Sequence, residues 1–572
     1  MASPPSIKSP DRSRIFPPHE GQNVLPNSPF FTKLLRHAHR GRLAIRDHLL
    51  GVEKTYLDLL GDALSLRSAL EKRLDPSVVR RLRRGDELYI GVLAAGGYEF
   101  AVAMVAALAI GAAVVPMSVA NPPEEVVYFV NKSRQIAILS SSSTTGLAQS
   151  VLSLRREQGQ PLAHLTVSDA MTSSSRLQPR DIVISCDRYL DDNTAGVVIF
   201  TSGTTGKPKG SVLRRAYIHE AALNVVEGYD ITHKDVLLHT LPVHHATGLG
   251  TSFFPWMVSG ACIEFKTHGS FDPAWVWRRI REGGITVFSG VPTMYLRLMW
   301  HYNKELANLP DAKKDAYTAG VRALRCLLCG SSALQQPVQN FWTSLRDNGK
   351  PGIFVRYGSS EVPGCIRVSA DADFPRLPGN SVGSPTAGVD VKINSERELL
   401  IKSPLMFSGY LLDEAATVAA HDELGWFKTG DIARQEGPYI FIVGRASVDI
   451  IKSGGYKIGA PEVEQACLKL PNVREVSVLG VDDEEFGQRV AAVVLPTAGS
   501  NGSSLRIDRL REDLRQTLPA YKLPTLLRVV DGELPKGETG KVQKKILGPQ
   551  LFPSSWQEDS RVQVWRSTKA RL

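Results

Sequence analysis

The sequence predicts an α/β protein in two parts, a large multi-sheet N-terminal body and a small C-terminal α/β domain, on three observations. Short apolar runs alternate with longer helix-like segments from about residue 30 to residue 530. The 572 residues, 43% of them apolar, exceed what one ordinary core organises. After Gly430-Asp431 the composition changes: IFIVGRASVDIIKSGGYKI is dense in glycine and charge, and a compact second α/β pattern follows. These features divide the chain into a disordered tail (1–29), a large domain (30–445), a small domain (446–550) and a second tail (551–572).

Taken in order, the N-terminal MASPPSIKSPDRSRIFPP is rich in Pro and Ser and has no apolar h-region. Leu88–Leu93, Val197–Phe200, Ile263–Phe265, Val287–Ser289 and Ile353–Val355 have the length and composition of buried strands. The longest apolar stretch, Phe100–Met117, is rich in Ala, contains Gly111 and meets Pro116, so it suits a buried helix running into a strand better than a membrane span. Ser140–Ser143 and Gly499–Ser504 read as loops. The C-terminal part predicts a helix from Pro461, strands over VSVLGV and VAAVVL, and a helix near Leu505–Leu518.

A net charge of +10 favours anionic partners such as nucleotides and coenzyme A. No aromatic-interleaved basic stripe accompanies it, which argues against nucleic acid. The six cysteines are scattered, and only Cys326 and Cys329 lie close together. With no second Cys or His pair at ligand spacing, they read as buried apolar thiols in a reducing compartment.

The strongest chemical signal is Thr201-Ser202-Gly203-Thr204-Thr205-Gly206-Lys207-Pro208-Lys209-Gly210, directly after an apolar strand. Small, hydroxyl-rich and glycine-rich residues let backbone N–H groups and hydroxyls wrap closely around phosphate oxygens, and two lysines add charge. The P-loop pattern of kinases and GTPases fails: counted from Gly203 the sixth position is Pro208, and no Ser or Thr follows Lys207.

This segment resembles the signature of the adenylate-forming superfamily of acyl-CoA synthetases, peptide-synthetase adenylation domains and beetle luciferases. The resemblance runs in order over roughly residues 30–550. It implies a large N-terminal adenylation domain and a small mobile C-terminal domain, with ATP, Mg²⁺ and coenzyme A as the small molecules used. Arg356-Tyr357-Gly358-Ser359-Ser360-Glu361 is similar to the family's YGxTE, which implies Tyr357 against adenine, Ser360 on phosphate and Glu361 on Mg²⁺. A hard cation bridging phosphate oxygens needs hard oxygen ligands, so a carboxylate suits that place. Trp426–Asp431 is similar to WxxTGD, implying Asp431 on the ribose hydroxyls, with Arg445 a second nucleotide contact. Gly330-Ser331-Ser332 resembles the segment lining the adenine and acyl sites.

In the same way Leu241–Gly248 resembles LPxxHxxG and implies that His245 lines the active site. Leu534–Lys544 is similar to PxxxxGKxxK, implying Lys541 as the catalytic lysine, where a cation would stabilise charge building on the α-phosphate. Ile451–Lys457 resembles the glycine-rich loop of thioester formation and implies that Lys452, Gly454, Gly455 and Tyr456 face the CoA step. One departure concerns the hinge: two residues after Gly444-Arg445 stands Ser447, where the family usually has Asp or Lys, and Asp449 lies nearby.

Blocks at Gly290–Arg297, Arg376–Gly383 and Gly444–Tyr456 are most similar to malonyl-CoA synthetases. A dicarboxylate needs a cation for its second carboxylate, and Arg297 and Arg376 are the candidates. Those enzymes carry Met where this chain has Ser359, a smaller side chain that would admit a longer or aromatic acid. Open alternatives are a fatty-acid or aryl-acid CoA ligase, a stand-alone enzyme loading a carrier protein, and a non-catalytic relative that keeps the fold. The last three residues, Ala570-Arg571-Leu572, resemble the Ser-Lys-Leu ending read by the peroxisomal import receptor.

Overall fold

The all-apolar stretch becomes a helix, α1 (Tyr98–Ala109), whose twelve residues are all buried, so no polar face is needed. Gly111, at φ 94°, stops it: the Ala112 N–H bonds back to the Ala107 carbonyl, a left-handed closure that glycine adopts without strain. This computed structural model describes residues 21–171, 177–201, 207–266, 271–346, 352–370, 377–497, 505–537 and 541–565. The chain packs as two units, Met1–Ser270 with Leu405–Thr417, and Phe271–Pro404 with Val418–Leu572.

In the first unit, β1 (Tyr89–Leu93), β2 (Ala113–Pro116), β3 (Ala137–Ser140), β4 (Ala163–Thr166) and β5 (Ala195–Thr201) lie in one sheet in the order β5-β2-β1-β3-β4, every pair parallel. β6 (Lys209–Arg214) turns back antiparallel on β5, and Gly409–Tyr410 adds a short edge beside it. Further strands of this unit, Val236–His239, Cys262–Phe265, Leu43–Asp47 and Val52–Thr55, are hydrogen-bonded in that order.

In the second unit, β7 (Val287–Gly290), β8 (Cys326–Cys329) and β9 (Phe354–Tyr357) run parallel as neighbours. Cys326 and Cys329 stand three apart on β8, so their side chains leave opposite faces, and none of the six cysteines is in a disulfide. β10 (Phe427–Glu436) and β11 (Tyr439–Arg445) form a long antiparallel hairpin.

The residues after it build their own sheet from β12 (Ile450–Ser453), β13 (Tyr456–Gly459), β14 (Val473–Asp483), β15 (Gly487–Pro496), β16 (Leu526–Val529) and β17 (Val562–Val564). Along β15 the faces alternate as a strand requires. Val490, Ala492 and Val494 enter one core with α2 (Ala460–Cys467), whereas Ala491 and Val493 enter another with Leu547 of α3 (Lys544–Leu551). This is the small C-terminal domain of a mixed α/β fold.

Two expected tails are corrected. Residues 551–565 are not a tail: Trp556 and Val562 are buried on the second core, and β17 pairs with β16. Within 1–29, Val24–Asn27 forms a strand parallel to Val183–Tyr189 with Leu25 fully buried, and Ser28 caps the helix Pro29–His39. A few apolar side chains in each stretch find cores that composition alone does not reveal. Among the described residues no helix is long and apolar enough to cross a membrane.

Candidate active site

β5 and β6 flank the glycine- and threonine-rich segment, with Thr201 directly opposite Lys209 and the Thr201 hydroxyl donating to the Lys209 carbonyl at 3.3 Å. A strand-to-strand turn differs from the strand-to-helix turn of a P-loop. Ser202, Gly203, Thr204, Thr205 and Gly206 lie outside the described residues. The flanks rest on aromatic rings: the Lys207 ammonium is 5.5 Å from the Tyr128 ring centre, Lys209 is 5.1 Å from that of Tyr410, and the Tyr128 hydroxyl donates to the Pro208 carbonyl at 2.8 Å.

His245, also in the first unit, caps the short helix Ala246–Gly248 at its N-terminus, with its ring 4.3 Å from that of His244. The chain doubles back here so tightly that a Cβ on Gly248 would sit 2.1 Å from the Pro242 carbonyl oxygen. Only glycine fits, which explains the spacing of that motif.

In the second unit, Asp431 on β10 and Arg445 on β11 are direct cross-strand partners, and the Arg445 Nη1 donates to Asp431 Oδ1 at 3.1 Å. The Tyr357 hydroxyl, at the end of β9, donates to Asp431 Oδ2 at 2.6 Å. The turn into Asp431 is fixed by the Thr429 hydroxyl, which accepts from the Asp431 N–H, and by the Gly430 N–H, which donates to Glu398. Burial raises the Asp431 pKa, and Arg445 and Tyr357 restrain the rise. Burial works against the Arg445 cation, but Asp431, Tyr357 and Glu361 outweigh it and hold the guanidinium charged. Burial, reinforced by the Asp431 charge, keeps the Tyr357 hydroxyl protonated.

Lys541 shares this setting. Its ammonium is surrounded by enough protein that desolvation, with Arg445 beside it, lowers its pKa; Asp431 and Asp449 pull the other way. Among the described residues no side chain forms a hydrogen bond or ion pair with it. The loop carrying it is closed by Gly537 N–H to the Lys541 carbonyl at 2.9 Å and Gln543 N–H to the Pro535 carbonyl at 3.0 Å.

Next to β9, the Ser359 hydroxyl accepts the Glu361 N–H at 3.3 Å, fixing the start of the Gly358–Glu361 loop that also carries Ser360. Gly330 faces β9 so closely that a Cβ would meet the Arg356 side chain at 2.9 Å, and Ser331 takes φ 80° in the loop after β8 with Ser332 exposed beside it. Arg297 sits half-buried on the helix Pro292–His301, its guanidinium 5.8 Å from the centre of the Phe271 ring. Arg376 and Ala570, Arg571 and Leu572 lie outside the described residues.

The second unit thus brings together Tyr357, Asp431, Arg445 and Lys541. Lys452 and Tyr456 are elsewhere, on the β12–β13 hairpin whose turn is Gly454-Gly455 at φ 55° and 82°. The contacts of that hairpin lie with Phe486, Gln488 and Tyr521.

The sequence profile of AMP-binding enzymes matches residues 37–411, and that of the AMP-binding enzyme C-terminal domain matches residues 462–541. The chain belongs to the AMP-binding enzyme family. A probable CoA ligase of Humulus lupulus, CCL8, is 31% identical over 84% of this chain and 83% of its own length. The human mitochondrial malonate–CoA ligase ACSF3 is 32% identical over 92% of this chain and 93% of its own. The crystal structure of ATP-bound MatB from Rhodopseudomonas palustris shares the fold, with TM-score 0.76 and 23% identity over 92% of this chain and 99% of that one.

In this AMP-binding enzyme, no group of three His, Cys, Asp or Glu side chains that could cage a metal occurs among the described residues. A single carboxylate such as that of Glu361 is a hard oxygen donor of the kind Mg²⁺ takes alongside waters and substrate phosphates. Sequence reasoning did not assign Lys544, Asp449 and Glu464, which form an ion cluster behind Lys541. The signal was the second lysine of the Lys541–Lys544 motif.

Proposed function

We propose that the protein is an ATP-dependent acyl-CoA synthetase whose acid is malonate. The carboxylate oxygen of the acid bonds to the α-phosphorus of ATP as pyrophosphate leaves. The CoA thiolate then bonds to the acyl carbon as AMP leaves. The observation that carries this reading is the setting of Lys541: a cation with no side-chain ion pair among the described residues, in the field of an Asp431 carboxylate already held by Arg445 and Tyr357. Asp431 holds the ribose, since a carboxylate accepting two donors still has lone pairs for two hydroxyls. Lys541 answers charge building on the α-phosphate. By the family resemblance the Thr201–Gly210 segment is the phosphate cradle and His245 an acyl-side residue, while Ser331 and Ser359 serve the adenine side. Glu361 holds Mg²⁺, which neutralises phosphate charge when bound.

The malonate reading is supported by the malonate–CoA ligase relatives and by Arg297. Among the described residues this guanidinium has an aromatic ring and no carboxylate beside it, which suits it to a second substrate carboxylate.

Pyrophosphate exchange and AMP release across malonate, methylmalonate, acetate, fatty and aryl acids, with CoA or carrier protein as acceptor, test both levels. Malonate should lead, and Arg297→Gln should raise the KM for malonate about tenfold to a hundredfold while leaving acetate nearly unaffected. A leading fatty or aryl acid would overturn malonate and keep the reaction class. A carrier protein preferred over CoA would overturn the acceptor.

A further inference from the structure

β14 carries a carboxylate where its alternation calls for an apolar side chain. Glu475 stands on the same face as Leu479 and Val481, which enter the core that also holds Leu534, and it is 4% exposed. Among the described residues its ion-pair partner is Lys536: the ammonium lies 2.6 Å from Glu475 Oε1, and Oε2 has no hydrogen bond. A carboxylate in such a place is costly unless paired, so the two residues hold each other.

Lys536 lies on the first leg of the loop that carries Lys541. It bridges to Val542 across the loop, the Gly537 N–H donates to the Lys541 carbonyl at 2.9 Å, and the Gln543 N–H donates to the Pro535 carbonyl at 3.0 Å. The second leg is pinned separately, by Lys544 on Asp449 and Glu464. Among the described residues no side chain grips the Lys541 ammonium. Its place is therefore set by its backbone, and that backbone is tied through Gly537 to the leg that Lys536 anchors.

We propose, on the adenylation reading above, that Lys536 is a positioning residue: its ion pair with Glu475 pins the first leg of the loop to β14 and so sets where Lys541 presents its ammonium. A charge-assisted hydrogen bond is short and strong, and it holds a leg that apolar packing alone would let slide. Such a hold matters here because a misplacement of about 1 Å at a reacting group can cost about a hundredfold in rate.

Three readouts on the full-length enzyme test this: pyrophosphate exchange, thioester formation from supplied acyl-adenylate, and melting temperature. Lys536→Met keeps an aliphatic stem and removes the charge. Pyrophosphate exchange should slow about tenfold to a hundredfold through kcat, with the KM for ATP nearly unchanged and thioester formation near the parent rate. In the double variant Lys536→Met with Glu475→Gln no unpaired carboxylate is buried, so the melting temperature should return toward the parent value while pyrophosphate exchange stays slow. Pyrophosphate exchange that recovers together with the melting temperature, or an equal loss in both half-reactions, overturns the proposal. If Lys536→Met fails to fold, the double variant decides alone: slow adenylation with parental thioester formation supports the pin, and parental adenylation overturns it. A parent enzyme that exchanges no pyrophosphate with any acid sinks the synthetase reading, and deuterium uptake still reads the pin. Loss of the ion pair should speed uptake at the Gly537 and Gln543 amides and leave β15 unchanged; unaltered protection at those two amides overturns the proposal whatever the reaction.

Discussion

The β10–β11 hairpin and the loop from Leu534 to Lys544 carry opposite kinds of charge. On the hairpin, Asp431 and Arg445 are paired across the strands and the Tyr357 hydroxyl completes the carboxylate. On the loop, Lys541 feels the same groups but has no side-chain partner among the described residues, and its neighbour Lys544 is doubly paired. Groups that hold a ground-state ligand can be satisfied in advance. A group that must answer charge appearing only in the transition state has to be kept unsatisfied.

The largest effect should come from breaking the loop's side of this contrast. Lys541→Ala should lower pyrophosphate exchange by about 10²–10³-fold, the scale of losing one donor to developing charge. Thioester formation from supplied acyl-adenylate should fall much less. The sign with pH follows from the depressed pKa: the cation is the active form, so exchange declines as pH rises through a pKa below the ordinary lysine value of 10.5. Lys541→Arg should remove that decline from the accessible range. Equal loss of both half-reactions in Lys541→Ala would show that the lysine serves the fold and not the adenylation step.

Breaking the hairpin's side should have a smaller effect of a different kind. Asp431→Ala removes a charged hydrogen-bond acceptor and should raise the KM for ATP by a factor corresponding to about 1.5–3 kcal/mol. Stability should fall as well, because the Tyr357 hydroxyl loses its buried acceptor, while the Arg445 side chain keeps 40% of its surface in water. A fall in kcat at unchanged KM for ATP would contradict the assignment of Asp431 to ribose.

The contrast also separates what was legible in the sequence from what was not. The α1 stretch, the β5 strand and the alternating β15 run were readable because burial demands a uniform or period-two apolar pattern over several residues. Asp431 and Arg445 were each readable from a motif, but their pairing was not: fourteen positions apart in sequence, they meet only once β10 and β11 fix their register. The Asp449–Lys544–Glu464 cluster left weaker traces still, since an ion pair between elements has no periodicity and Lys544 looked like the end of a motif. In the sequence the residues after Leu551 look like a tail because Trp556 and Val562 are too sparse to mark a core that other segments supply.

The smallest effect belongs to the second glycine-rich segment, and it sharpens the comparison by testing a turn that lies against Phe486, Gln488 and Tyr521. At Gly454-Gly455 both residues have positive φ, the backbone of a two-residue turn that matches the twist of β12 and β13. A Cβ at Gly455 would meet nothing within 4 Å, so Gly455→Ala carries backbone strain alone, about 1 kcal/mol. Melting of the isolated protein should shift slightly, and pyrophosphate exchange should not change, because Lys541 and Asp431 are held by other elements. If the hairpin serves the CoA step, thioester formation should slow while adenylation stays at the parent rate. An equal slowing of both half-reactions would mean instead that the turn supports the small domain as a whole, since a defect confined to the CoA step would spare adenylation.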